Sequence, residues 1–583
     1  MCGILYQSAV IIKAEKNELE HRGPDAYGSV LKDGSEFAHW RLSILGLSGA
    51  YDQPLKYKGS ILIYNGEIFN YQELGQRYFQ RDYDNDSELL IHLLYYYGVD
   101  IITQLKGMFA FVFLDKEKKV IIGRDKLGIK PLYYSIKEGN LIVSSEISPI
   151  QRRINSAISP DALAEFVVHG VIHTNTVYED ILEFPNSYFA TYTNNELSLH
   201  KYSQNQFGTK QESKADLEKL ISVSMALHLN SDVPVAILLS SGIDSSLLTY
   251  YAAKLQSSLQ VYTADFGRDS INDELNAAKK LCNELGVKHY SVSLKDRSKS
   301  AIIDELLKRH GQPFGDAADI ALYALYDALP KGIKVVIQGD GGDELFGGYR
   351  RHRLMKYGRS ALFHFVLRCL PFMRCRRIGL ALGLKDVERH SALLRQDYMK
   401  SNKLRTFIKS KKILECLEGV ETSCYRKMYQ EVAADKSEEQ KFYTVDMKLV
   451  LKNQFLRKVD IASMTLSKEA RVPLLYDDIV DYAMSLNLRD NVNLIYGKLP
   501  LRKVAKKKLP RFIFKRKKIG FGVPFAKWLD TELYDDYMSC LKSNRARQVL
   551  NVDAIYEDFH EKSCDKFLHW KIYILTKWLR NTI

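Results

Sequence analysis

The 583 residues predict two domains: an α+β domain of packed sheets, then an α/β domain with a parallel sheet and a mostly helical C-terminal part. Three observations carry this. The chain is too long for one hydrophobic core. Short β-like segments punctuated by Gly, Asp and Asn crowd its first third. Beyond a polar stretch, strand and helix patterns alternate, the βαβ rhythm of a parallel sheet.

In the first domain the expected strands are Glu36–Leu45, Ser60–Tyr64, Met108–Leu114, Val120–Gly123, Pro131–Ser135, Asn140–Ser144 and Ser187–Tyr192. Ser87–Tyr97 reads as a helix with Asp86 as its N-cap. The polar run Asn205–Lys214 reads as a linker, dividing the chain into 1–204, 205–214 and 215–583. After a helix at Lys214–Leu229, strands are expected at Val235–Leu239, Gln260–Phe266, His289–Ser293 and Ile333–Gln338. Helices at Asp273–Leu285 and Ile320–Ala328 fall between them. Ligands of such sheets lie at the carboxyl ends of the strands.

Composition narrows the function. A hydrophobic fraction of 46% and a charged fraction of 26% belong to a folded soluble protein. No apolar run approaches the roughly 18–20 residues that span a bilayer. The N-terminus lacks a basic start and a small-residue cleavage site, so a cytoplasmic location is expected. The eight cysteines (Cys2, Cys282, Cys369, Cys375, Cys416, Cys424, Cys540, Cys564) show no CxxC pair and no zinc-like spacing, as for unpaired thiols. The net charge of +14 concentrates in Arg350–Arg377 and Lys503–Lys518. In the first, arginines interleave with Leu354, Leu362 and Phe365, which favours a solvated amphipathic helix over a nucleic-acid surface.

Two stretches carry chemistry. Pro234–Leu248, PVAILLSSGIDSSLL, is a buried strand breaking through small residues into a helix. Its N–H groups and hydroxyls make an anion site at the helix N-terminus. Asp244 repels phosphate unless a cation lies between, so Mg²⁺-bound pyrophosphate is the economical ligand. A plain serine-capped turn is the alternative. No GxxxxGK[ST] loop occurs. At the other end, Cys2 follows only Met1. Removing Met1 leaves a thiol beside an α-amine of reference pKa about 7.7–8.0, a nucleophile with its own base. Given oxyanion donors, such a thiolate attacks an amide carbonyl.

Around Cys2 the motifs HRGPD (21–25), RLSI (41–44), NGEIFN (65–70), DSE (86–88), GMFAF (107–111), GRDKLGIKPLYY (123–134) and SSE (144–146) occur in order. Together they resemble the class II glutamine amidotransferase domain, an N-terminal-nucleophile hydrolase with an αββα sandwich. The resemblance implies that Cys2 attacks glutamine and that Arg41 grips its α-carboxylate, with Leu42 and Ile44 beside it. It implies an oxyanion hole from Asn65 and Gly66, and Glu67 and Asp86 at the ammonium end. Only about twenty residues separate Cys2 from Arg22, fewer than the family carries.

Farther on stand QPFGDAADI (312–320), QGDGGDELFGGY (338–349), VDIASMTLSKEARVPLL (459–475), GKLPLRKV (497–504) and KKIGFGVPFAKWL (517–529). This order resembles glutamine-hydrolysing asparagine synthetase, whose second domain belongs to the ATP-pyrophosphatase group. The resemblance implies ATP at Leu239, Ser240, Ser241, Gly242, Asp244, Ser245, Ala264, Gln338 and Gly339. It also implies Mg²⁺ on Asp244 and Asp343, Asp340 near an acyl-adenylate, and Lys498 at the α-phosphate. The expected reaction turns glutamine, aspartate and ATP into asparagine, glutamate, AMP and diphosphate; the same chemistry on a sugar acid or secondary metabolite is the alternative. The partners are then small molecules, without nucleic acid or a membrane span, and a homodimer is left open. Four positions depart from the family. Ser241 replaces its first loop glycine, Gln338 a serine, Asp265 a glycine and Ile461 an arginine, the last three expected near the nucleotide and acceptor.

Overall fold

The computed structural model describes residues 2–203, 215–265, 269–293, 298–357, 384, 386–394, 401–432, 436–515 and 523–582. The linker expected at 205–214, most of the basic stretch 350–377 and part of the 517–529 motif lie outside the described residues.

The first domain is built on two antiparallel sheets. One contains β1 (Gly3–Gln7), β2 (Ala26–Lys32), β3 (Ser35–Arg41), β8 (Tyr133–Lys137), β9 (Asn140–Ser144) and β10 (Leu182–Glu183), in the order β10-β8-β9-β1-β3-β2. The other contains β4 (Leu55–Tyr57), β5 (Ser60–Ile68), β6 (Gly107–Leu114), β7 (Val120–Arg124), β11 (Tyr188–Thr193) and β12 (Glu196–Lys201), in the order β12-β11-β7-β6-β5-β4. Alternation sends Ile4, Tyr6 and Phe37 of the first sheet against Ile61, Ile63 and Val112 of the second. The outward residues Leu62, Tyr64 and Phe111 pack with Leu89, Leu90 and Leu93 of a helix at Asp86–Tyr97. Leu5, Ala38 and Trp40 pack with helices at Ile147–Ile154 and Pro160–His169. The layers are αββα.

Two local expectations are corrected. The strand placed at Glu36–Leu45 ends at Arg41, because the Arg41 guanidinium takes the Leu45 and Gly46 carbonyls that a ladder needs. The N-cap of the Asp86–Tyr97 helix is Asn85, whose side chain accepts from Ser87 N at 2.8 Å. Asp86 is the first helical residue, and its carboxylate turns inward.

The second domain holds a parallel sheet of β13 (Val235–Leu238), β14 (Gln260–Asp265), β15 (Lys288–Ser293), β16 (Val335–Ile337) and β17 (Glu469–Arg471), in the order β15-β14-β13-β16-β17. The order reverses between β13 and β16, a switch point with a crevice beyond the strand ends. Helices dominate after Gly348. Ion pairs tie the domains together: Arg22–Asp460 at 2.9 Å, Lys126–Asp477 at 2.8 Å and Arg471–Glu67 at 3.0 Å.

Candidate active sites

The first site lies where β1, β3 and β5 meet the Asp86–Tyr97 helix. Cys2, Arg41, Leu42, Ile44, Gly66, Glu67 and Asp86 line one pocket of about 380 Å³ of atom-free space, mouth included. Asn65 sits on β5 behind it, its Oδ1 accepting from Cys2 N at 2.9 Å. Its Nδ2 is buried with no hydrogen-bond partner, a donor left for a ligand oxygen. Gly66 is required by a close approach, since a Cβ there would overlap the Met108 carbonyl on β6. The sequence therefore folds Asn65 and Gly66 beside the thiol by ordinary ladder register.

The charges are buried and tightly partnered. Arg41 pairs with Asp52 at 2.6 Å and donates to Ser48 O at 2.9 Å. Asp86 accepts from the Tyr64 hydroxyl at 2.6 Å and from Ile68 N at 2.9 Å. Burial pushes the Asp86 and Glu67 carboxyls up, Glu67 well above the usual carboxylate range even with Arg471 opposing. Burial also raises the Cys2 thiol, against the pull of the Leu42 backbone and the Arg41 guanidinium. The short segment between Cys2 and Arg22 still packs around Cys2: Leu19 is fully buried, and Arg22 Nε donates to Cys2 O at 3.2 Å.

The second site occupies the switch-point crevice. Leu239 follows β13, and the Ser240–Gly242 turn leads to a helix at Ile243–Leu255 with Gly242 as N-cap. Ser245 Oγ accepts from Ser240 N at 3.2 Å and lies 3.1 Å from Ser240 Oγ. Ser241 has φ +52°, the left-handed region that favours glycine. Its hydroxyl donates to Glu274 O at 2.9 Å. The family's glycine is thus replaced by a serine anchored to the neighbouring helix. Ala264 lies near the end of β14, and Asp265 closes it.

Across the crevice, Gln338, Gly339 and Asp340 follow β16 and lead into the Gly342–Phe346 helix bearing Asp343. A Cβ on Gly339 would lie 3.1 Å from Ser245 N, so the two loops touch through backbone. Lys498 is buried between them, hydrogen-bonded to Asp244 Oδ2 and 2.8 Å from Asp343 Oδ1. Burial opposes its charge, yet the two aspartates hold its pKa up. Gly348 permits this bridge, since a Cβ there would overlap Asp343 Oδ1 and Lys498 Cε. Asp244 Oδ1 and Ser246 Oγ are buried without partners. Among the described residues no cluster of three or more His, Cys, Asp or Glu has metal-binding spacing. Two aspartates with one orphaned oxygen suit a Mg²⁺ whose other ligands are phosphate oxygens and water.

Ile461 is not at this crevice. It lines a pocket between the domains with Tyr133, Glu183 and Arg457. Sequence reasoning also missed Asp460, which takes Arg22 Nη1 at 2.9 Å and Nη2 at 3.2 Å, and the Lys458–Asp316 pair at 2.8 Å beside Asp340. Their motifs were visible, but nothing in sequence shows that a helix at Arg457–Met464 runs between the two sites.

A nucleophile-bearing αββα domain joined to a parallel-sheet domain with a phosphate-type crevice defines a two-site amide-transfer enzyme. Residues 216–580 match the asparagine synthase family, and residues 1–203 match a glutamine amidotransferase domain. The chain belongs to the asparagine synthase family and is a glutamine-hydrolysing ligase. Asparagine synthetase [glutamine-hydrolyzing] 1 of Bacillus subtilis is 28% identical, over 97% of this chain and 93% of its own length. Asparagine synthetase [glutamine-hydrolyzing] 3 of the same organism is 26% identical, over 89% and 86%. Amidase chyE of Penicillium rubens is 30% identical, over 57% of this chain and 54% of its own length. No helix among the described residues is long and apolar enough to cross a membrane.

Proposed function

We propose that the protein is a glutamine-dependent asparagine synthetase, with residues 1–204 as the glutaminase and 215–583 as the synthetase. Cys2, freed of Met1, attacks the glutamine side-chain amide. Asn65 Nδ2 and the Gly66 N–H receive the oxyanion, Arg41 takes the α-carboxylate, and Glu67 and Asp86 take the ammonium. Leu42 and Ile44 pack the substrate's methylenes. Ammonia then passes inside the protein, where it escapes conversion to unreactive ammonium.

At the second site the Ser240–Ser245 turn, Leu239, Ala264, Gln338 and Gly339 hold ATP, chiefly through backbone. Mg²⁺, when bound, shields the pyrophosphate charge from Asp244 and Asp343. Lys498 follows the α-phosphate as negative charge builds there. Asp340 stands beside the acceptor carboxylate, whose oxygen attacks the α-phosphorus and releases diphosphate; ammonia then attacks the acyl-adenylate carbonyl to give the amide and AMP.

The observation that carries this reading is the pair of orphaned groups, Asn65 Nδ2 beside the thiol and Asp244 Oδ1 in the crevice. The first is a donor that suits an oxyanion beside the thiol; the second is an anionic acceptor that suits a cation between it and the phosphates. A second reading keeps the chemistry and changes the acceptor to a sugar acid or secondary metabolite. It is favoured by Gln338, whose side-chain Nε2 is buried without a partner while Oε1 accepts from Tyr326. Incubation with ATP, glutamine and aspartate, read by mass spectrometry, separates the two. Asparagine supports the first reading; glutamate release without asparagine rejects aspartate and turns the screen to other carboxylates.

A further inference from the structure

The two basic stretches of the sequence meet at one loop. Residues 493–497 join a short helix at Leu488–Asn491 to the helix at Leu499–Lys508. Asn493 closes a turn there. Its Oδ1 accepts from Ile495 N at 2.9 Å and from Tyr496 N at 2.6 Å, and its N donates to Tyr496 O at 2.8 Å. A turn closed on its own backbone leaves its side chains outside. Leu494 and Ile495 are each 67% exposed and Tyr496 46%; among the described residues no large apolar side chain is more exposed than the first two.

The first basic stretch reaches this loop from the helix at Arg350–Tyr357. Arg353 Nη1 donates to Ile495 O, and Lys356 Nζ donates to Val492 O. Arg350, one turn before Arg353, is exposed. The helix that opens the second stretch supplies Arg502, whose guanidinium lies 4.6 Å from the centre of the Tyr496 ring, and the exposed Lys503. Acids are scarce here. None occurs between Glu344 and Asp386, and Asp490 is the only one within 487–508. An apolar tip therefore stands inside a collar of cations drawn from segments about 150 residues apart.

An anionic bilayer matches both parts: aliphatic side chains enter the acyl boundary while the cations meet headgroup phosphates. Single-stranded nucleic acid needs aromatic faces for its bases. This tip is aliphatic, and Arg502 occupies one face of its single ring. A stable protein interface buries about 1,200–2,000 Å², more than three side chains on a turn supply.

We propose that the Leu494–Tyr496 turn, ringed by Arg350, Arg353, Arg502 and Lys503, docks the protein on an anionic phospholipid bilayer. Lys498 follows two residues after Tyr496, so docking sets the nucleotide crevice beside the membrane surface. The inference is independent of which carboxylate is amidated.

The test is flotation of the full chain with vesicles of phosphatidylcholine alone and of equal parts phosphatidylcholine and phosphatidylglycerol. Wild type floats with the mixed vesicles, less as salt rises, and partitions weakly to the neutral ones. Replacing Leu494 and Ile495 together by Ser lowers partition at least about tenfold, as expected when two aliphatic side chains no longer leave water. Replacing both by Phe keeps binding near wild type. Arg350→Ser and Lys503→Ser each cost about fivefold and flatten the salt dependence. Thermal melting checks that each variant is folded. Absence of flotation by wild type overturns the proposal, as does equal partition to both vesicles. So does a Ser double variant that binds like wild type, or a Phe double variant that fails like the Ser one. Retention of poly(U) without vesicle binding, lost in the Arg350 and Lys503 variants, replaces the bilayer with nucleic acid. Self-association lost in the Ser double variant, again without vesicle binding, replaces it with a second copy of this chain.

Discussion

In the Cys2 pocket the polar groups stand on hydrogen-bonded ladders: Arg41 ends β3, and Asn65, Gly66 and Glu67 are consecutive on β5. In the nucleotide crevice Ser240, Asp244, Asp340 and Asp343 stand on turns or helix starts beyond strand ends, and Lys498 caps a helix at Leu499–Lys508. Ladder register fixes the first set before any ligand arrives. The second set is held by glycines that allow loops to touch, and by one ammonium between two carboxylates. A hydrolytic site needs a preformed oxyanion hole. A nucleotide site must accept a large polyanion, and its internal cation keeps two aspartates from repelling each other meanwhile.

The sharpest break between the regions is Cys2→Ala. Glutamine-dependent product should fall at least about 10³-fold while ammonia-dependent product persists, measured by product yield with each donor. Comparable loss with both donors would contradict separate sites. Next is Lys498→Met, expected to cost on the order of 10³-fold in ATP–pyrophosphate exchange with glutaminase activity retained. Asn65→Ala should lower glutaminase kcat about 10²–10³-fold and leave exchange untouched.

Smaller effects probe the scaffold. Glu146, beside His21 at 2.7 Å and Arg22 at 3.1 Å, is held at about 2 against burial, below the ordinary 4.5. A depressed carboxylate stabilises the fold above its unfolded pKa, and that stability is lost as pH falls from about 4.5 through about 2. The shift corresponds to roughly 3 kcal/mol. Glu146→Gln should therefore flatten the acid limb of a urea-midpoint against pH profile; an unchanged limb would remove the pair from the balance. Smallest is Ser241→Gly. It relieves a left-handed φ but loses the bond to Glu274 O, for a net change within about 1 kcal/mol by thermal melting.

Much of both sites was legible because their chemistry is local in sequence. Asn65–Glu67 is one run, and so is Ser240–Ser245. Short β-like segments punctuated by Gly, Asp and Asn foretold the first domain's strands, whereas the pairing of β5 with β6 was left to the structure. Less legible was anything set by a competing hydrogen bond. Asp86 looked like a cap because capping residues and buried acceptors are the same residue types, and only Tyr64 and Ile68 decide between them. Ile461 was misplaced because a substitution reveals nothing of which face of a helix it occupies.

The sequence by itself determined the two domain types, the cysteine next to Met1 as a candidate nucleophile, the phosphate-type turn and the acidic loop after β16, since each depends on neighbours within a few residues. Only the tertiary structure decided that Lys498 lies between Asp244 and Asp343, that Glu469 lines the pocket of Cys2, and that Arg471 pairs with Glu67 there. Those contacts join charges hundreds of residues apart. Their energies arise from burial and from the low polarisability of the interior, and both exist only once the sheets have docked.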